Sequence, residues 1–228
     1  MICVRGVYHS SWLIESFLSH FPTKWPSGEI DNLYYFTRPG CAIFAELVKD
    51  GPGRPPTAQE FIDAYMKIQT ADADTAPRRN RMQQIYIGLM RDYHAGALLV
   101  ECQDVDHVYW SEVLDADGGI DYIIGAKGRY AAVKVHPGLG DPSEWMRTKA
   151  NRKKRLEGMF PNCLGLGATR DICKGGIYLV SGISVKQLVS EIMEHGVPRP
   201  RDSRSWNFLS LTEVSSPAKQ EQQGVLFQ

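Results

Sequence analysis

Asp121 stands at the head of one apolar run, Tyr122-Ile123-Ile124, and Lys134 stands inside the next, Tyr130 to His136, with Lys127-Gly128-Arg129 between them. β-branched and aromatic residues fill both runs and glycine marks the reversal, which is the pattern of a β-hairpin. An Asp and a Lys that point to the same side of adjacent strands can hold a divalent cation and position a nucleophile. That is half of what a metal-dependent nuclease site requires. Alternation sets Ala132, Lys134 and His136 on one face, which is small, basic and polar. A groove has that composition, and so has an exposed sheet face. The plainer reading makes Asp121 a polar residue flanking a turn and Lys134 a strand lysine facing solvent.

Elements on either side must hold such a pair in place. The first hundred residues read as mainly helical. Trp12, Leu13, Phe17 and Leu18 recur at helical spacing over Ser11–Phe21, and Pro22 ends the run. A second helix spans about 41–49. Thr57-Ala58-Gln59-Glu60 is a capping box that opens a third, to about Gln69. Residues 70–77 read as a loop, and Arg78-Arg79-Asn80-Arg81 opens a longer helix to about His94. From residue 98 strands are expected: Val108–Leu114, the hairpin, Leu164-Gly165-Leu166 and Ile177–Val180. Between them Asp141-Pro142-Ser143-Glu144 starts a helix, and Ser184-Val185-Lys186-Gln187 caps another that ends at Gly196.

This element order, with the Asp121/Lys134 pair, resembles the PD-(D/E)XK nuclease superfamily over roughly residues 80–196. The resemblance implies an α/β fold: a restriction-endonuclease-like core, a mixed central sheet flanked by helices, over residues 78–197. A helical N-terminal segment (1–77) would precede it and a flexible C-terminal tail (198–228) would follow. It implies Mg²⁺ or Mn²⁺ held by Asp121, with Lys134 acting on the nucleophile. The family's second acid falls two residues before the Lys, where this chain has Ala132. Either another carboxylate serves, or the chain is a degenerate relative, or it is an inactivated version. Some members take that acid from the following helix, which makes Glu144 the third catalytic candidate, although its position also suits a helix cap. Glu101 and Glu112 are other suppliers.

The expected 142–156 helix carries six cations in nine positions: Arg147, Lys149, Arg152, Lys153, Lys154 and Arg155. A charge run is usually a solvated face. Beside the Lys strand of the resembled fold, the same cations would grip DNA phosphates, and Arg78, Arg79 and Arg81 would extend that surface. At the C-terminus, Gln223, Leu226 and Phe227 resemble the short peptide by which bacterial replication and repair proteins dock on the sliding clamp. Such a tail would seat Leu226 and Phe227 in an apolar pocket and let Gln223 bond at its rim. Gly224 stands where an apolar residue is usual.

Twenty-six basic and 26 acidic residues cancel, so net charge favours no partner. Five dispersed cysteines without a Cys-x-x-Cys pair suggest reduced thiols and a cytoplasmic setting. No apolar run approaches the roughly 20 residues that cross a bilayer, so no membrane partner is expected. Gly165-Leu166-Gly167 lacks the third glycine of a dinucleotide fingerprint, and no Gly-Lys-Ser/Thr phosphate loop occurs. The leading expectation is a metal-dependent endonuclease recruited through its tail. A catalytically inactive DNA-binding or adaptor protein on the same fold is the second, and a protein-interaction module the third.

Overall fold

A computed structural model describes residues 9–31, 40–68, 75–110, 119–138, 163–198 and 212–213. The N-terminal third is helical: α1 (Ser11–His20), α2 (Gly40–Asp50) and α3 (Ala58–Met66). The expected capping box forms at α3. The Thr57 hydroxyl accepts the Glu60 N–H at 3.2 Å, and the Glu60 carboxylate accepts the Thr57 N–H at 2.7 Å. Helix α4 (Ala76–Glu101) runs seven residues beyond the expected end at His94. Ala95, Ala97, Leu99 and Val100 keep burying against neighbours there, and tertiary packing overrides the weak punctuation of Gly96.

The β-strands are β1 (His107–Trp110), β2 (Tyr122–Ala126), β3 (Arg129–His136), β4 (Cys163–Lys174), β5 (Ile177–Val180), β6 (Val197–Pro198) and β7 (Thr212–Glu213). They form one mixed sheet in the order β5-β4-β3-β2-β1-β7, with β6 beside β3. The expected hairpin is β2–β3. Its turn places Lys127 at φ 49° and Gly128 at φ 78°, the doubly left-handed backbone of a tight two-residue reversal. Strand β4 pairs parallel with β3, and β5 returns antiparallel along β4. At 12 residues, β4 is far longer than the Leu164–Leu166 segment its apolar residues suggest. The final helix, α5 (Gly182–His195), is capped by Ser181, which accepts the Ser184 N–H at 3.0 Å; Ser184 itself is inside the helix. Within the expected tail, residues 212–213 add an edge strand to β1.

Two apolar cores share α4. Met82, Tyr86 and Met90 pack with the N-terminal helices and with Ile177 and Leu179 of β5. Farther along, Ala95, Leu99 and Val100 pack with α5 and with Tyr122, Ile124, Val133 and Val135 of the hairpin. The chain is therefore mixed α/β, with α4 and α5 covering one face of the sheet. The opposite face gathers Tyr109, Ile120, Ile123, Tyr130 and Ala132. Among the described residues no helix is long and apolar enough to cross a membrane.

Candidate functional site

Asp121 lies one register step past the Tyr122–Val133 pair, which sets it opposite Lys134. Its N–H donates to the Val133 carbonyl at 3.0 Å, and its Oδ2 accepts the Val135 N–H at 2.6 Å. The carboxylate thus stands in for the strand that would otherwise satisfy that N–H. Lys134 Nζ donates to the Gly119 carbonyl at 2.9 Å. Lys134 is 9% exposed, which overturns the reading of a solvent-facing lysine, and Asp121, just ahead of β2, is buried as well at 6%. Buried charges are retained only where hydrogen bonds and opposite charges compensate them.

Both residues line a cleft of about 370 Å³. Its other wall is a stripe of α4: Arg81, Gln84, Ile85, Gly88, Arg91 and Asp92. Their spacing follows one side of a helix, while Met82, Tyr86, Ile87 and Met90 on the other side pack in the core. Arg91 is buried, and its Nε donates to the Tyr178 carbonyl at 3.3 Å. Burial lowers the pKa of its guanidinium, and the nearby Asp92 and Asp121 carboxylates oppose that shift. The Tyr122 hydroxyl, donating to the Asp92 carbonyl at 2.7 Å, ties β2 to this stretch of α4.

His136 follows Lys134 by two residues. Burial, then Arg91 and Lys134, holds its imidazole below the ordinary pKa, and Asp121 pulls the other way. Its Nδ1 accepts the Gly138 N–H at 3.2 Å, the contact of a strand-end residue. Gly165 and Gly167 make room for this ring: a Cβ at Gly167 would stand 2.8 Å from His136 Cε1, and one at Gly165 would stand 3.2 Å from Nε2. The Gly-Leu-Gly segment thus serves packing on the strand beside the site.

The structure brings together Asp121 and Lys134 and adds Arg81, Gln84, Arg91 and Asp92, of which only Arg81 was singled out from sequence. Dividing the 78–94 helix into an apolar and a polar stripe would have exposed the others. Arg78 and Arg79 are engaged elsewhere, with Asp31 at 3.2 Å and Asp63 at 3.1 Å. Glu101 does not supply the second acid: its two oxygens accept from Ser11 N at 2.7 Å and Ser11 Oγ at 2.6 Å, fastening α1 to the far end of α4. Ala132 is 1% exposed among Ile120, Ile123 and Tyr130. Glu112, Glu144, the cations Arg147, Lys149, Arg152, Lys153, Lys154 and Arg155, and the terminal Gln223, Leu226 and Phe227 lie outside the described residues. Among the described residues no group of three or more His, Cys, Asp or Glu gathers as a metal site.

A second and larger groove, about 610 Å³, lies between α2 and α3. Its floor is Ile43, Leu47 and Ala64 and its rim Glu46, Asp50, Glu60 and Asp63. Glu60 is paired with Arg54 at 2.7 Å. No family model, curated protein or solved structure matches the chain.

Proposed function

We propose that the chain is a DNA-processing protein with a restriction-endonuclease-like core that hydrolyses phosphodiesters with Mg²⁺ or Mn²⁺. The observation that supports this most is the buried Asp121/Lys134 pair, side by side in a cleft whose far wall carries Arg81, Arg91 and Asp92. Mg²⁺ and Mn²⁺ take carboxylate oxygens, and two carboxylates, Asp121 and Asp92, line this cleft. Those donors fit such an ion, which when bound supplies Lewis acidity toward the phosphoryl oxygen and a more acidic water. The Lys134 ammonium and the Arg91 guanidinium provide positive charge where the phosphate's negative charge grows. Asp92, which shares the cleft lining with Asp121, is one candidate for the acid missing at position 132, with Glu144 as its rival. Recruitment by a sliding clamp through Gln223, Leu226 and Phe227 belongs to the same reading.

The burial of Ala132 among apolar side chains favours a second reading, a DNA-binding or adaptor protein that has lost cleavage. It also alters what Ala132→Glu would do. A carboxylate there meets Ile120, Ile123 and Tyr130, so the substitution costs about 2 kcal/mol or more of stability instead of completing a site.

Nicking of supercoiled plasmid in Mg²⁺ or Mn²⁺, with and without a chelator, decides between them. Hydrolysis predicts nicking that the chelator stops and that both Asp121→Asn and Asp92→Asn reduce sharply. Salt-sensitive DNA binding without nicking would select the adaptor.

A further inference from the structure

Residues 22–31 form no helix or strand, yet the chain is pinned at several points, one on the β4–β5 turn and the others along α4. Thr23 N–H donates to the Gly175 carbonyl at 2.8 Å, and the Gln83 side chain donates to the Lys24 carbonyl. Asn80 Nδ2 donates to the Glu29 carbonyl at 3.0 Å, and Asp31 N–H donates to the Pro77 carbonyl at 3.1 Å. This strap carries Trp25 to the lining of the Asp121/Lys134 cleft, where the residue is 50% exposed. An exposed tryptophan on a well-anchored, irregular segment is not accounted for by core packing.

We infer that Trp25 is a stacking platform for an unpaired base, and that the cleft takes a single-stranded or locally opened DNA strand with the phosphate toward Lys134. The inference rests on the nucleic-acid-binding part of the function proposed above. Three observations converge on it. The cleft of about 370 Å³ is at the small end of ligand sites, roughly the size for one nucleotide. Its charged lining sets three cations, Lys134, Arg81 and Arg91, against two carboxylates, Asp121 and Asp92, an excess of positive charge that suits a phosphate, while Trp25 in the same lining offers the aromatic face a base requires. A base still paired inside a duplex has no face to offer, so stacking selects nucleotides already out of the helix.

Fluorescence anisotropy in the presence of a chelator reads binding with no cleavage superimposed. The probes are a mixed-sequence single-stranded oligonucleotide and its duplex, against the unaltered chain, Trp25→Ala and Trp25→Phe. Stacking predicts a loss of about tenfold in single-strand affinity for Trp25→Ala, most of it restored in Trp25→Phe, with duplex affinity changed little. Urea unfolding of both variants shows whether the strap has stayed in place. Equal single-strand affinity in all three folded proteins would overturn the inference, as would an equal loss on single strand and duplex. Hydrolysis is read separately, by plasmid nicking in Mg²⁺. Nicking with no Trp25 effect removes the platform and keeps the nuclease; a Trp25 effect without nicking keeps the platform and removes the nuclease.

Discussion

Two clefts among the described residues differ in where their charges sit. The larger, between α2 and α3, has an apolar floor and a rim of carboxylates, and the Arg54–Glu60 and Arg79–Asp63 pairs there have side chains between 31% and 45% exposed. The smaller, at the end of the hairpin, has Asp121, Lys134 and Arg91 each under 10% exposed. Solvent screens the first set, and such pairs contribute little. The second set is held in a medium of lower dielectric, where charge acts strongly on a reacting group. Volume alone would rank the clefts the other way round.

The contrast is sharpest in paired substitutions. Under the proposed hydrolysis, Lys134→Met should reduce plasmid nicking by about a hundredfold or more, because the ammonium proposed to face the phosphate is lost, whereas Lys67→Met beside the α2/α3 groove should leave the rate unchanged. Equal rates for both would end the assignment of chemistry to the hairpin cleft. In urea unfolding, Asp121→Ala should cost about 2 kcal/mol because the buried Val135 N–H loses its acceptor. Asp63→Ala should stay within about 0.5 kcal/mol. Glu60→Ala falls between them at about 1 kcal/mol, since its carboxylate closes the α3 capping box.

Melting against pH should show a smaller, two-stage effect. His94 and His136 are held below the ordinary imidazole pKa of 6.5, in both cases chiefly by burial, so the folded chain binds fewer protons there than the unfolded one. Their contribution is complete above pH 6.5 and is lost as pH falls below it. Glu60 is held down to about 2 by Arg54, so its contribution persists above the ordinary value of 4.5 and fades as pH falls toward 2. His94→Gln should blunt the first stage, and Glu60→Gln the second.

Local signals in the sequence reached the helices and the hairpin. Pro22 ends α1, Thr57 and Glu60 open α3, and Lys127-Gly128 turns the chain. Signals that depend on partners were missed. Nothing near His94 reveals that α4 goes on to Glu101, because what extends it is apolar surface supplied by the sheet and α5. Arg170, Asp171 and Lys174 disguise the far half of β4, where pairing with β5 rather than hydrophobic alternation makes the strand. Asp121 and Lys134 were legible because both lie on one short hairpin. Arg91 and Asp92 reach the same cleft from about 30 residues upstream, and only tertiary packing brings that helix face to the strand ends.

Helix α4 has a consequence for how the chain comes apart. Its first half is packed into the N-terminal core and its second into the sheet core, so neither core keeps a complete wall when the other melts. A helix of 26 residues that belongs to two cores couples them into one cooperative unit. Calorimetry of the intact chain should therefore give a single transition. Cutting the chain before Ala76 would not liberate an independently folding half, because Met82, Tyr86 and Met90 would face water on the remaining piece.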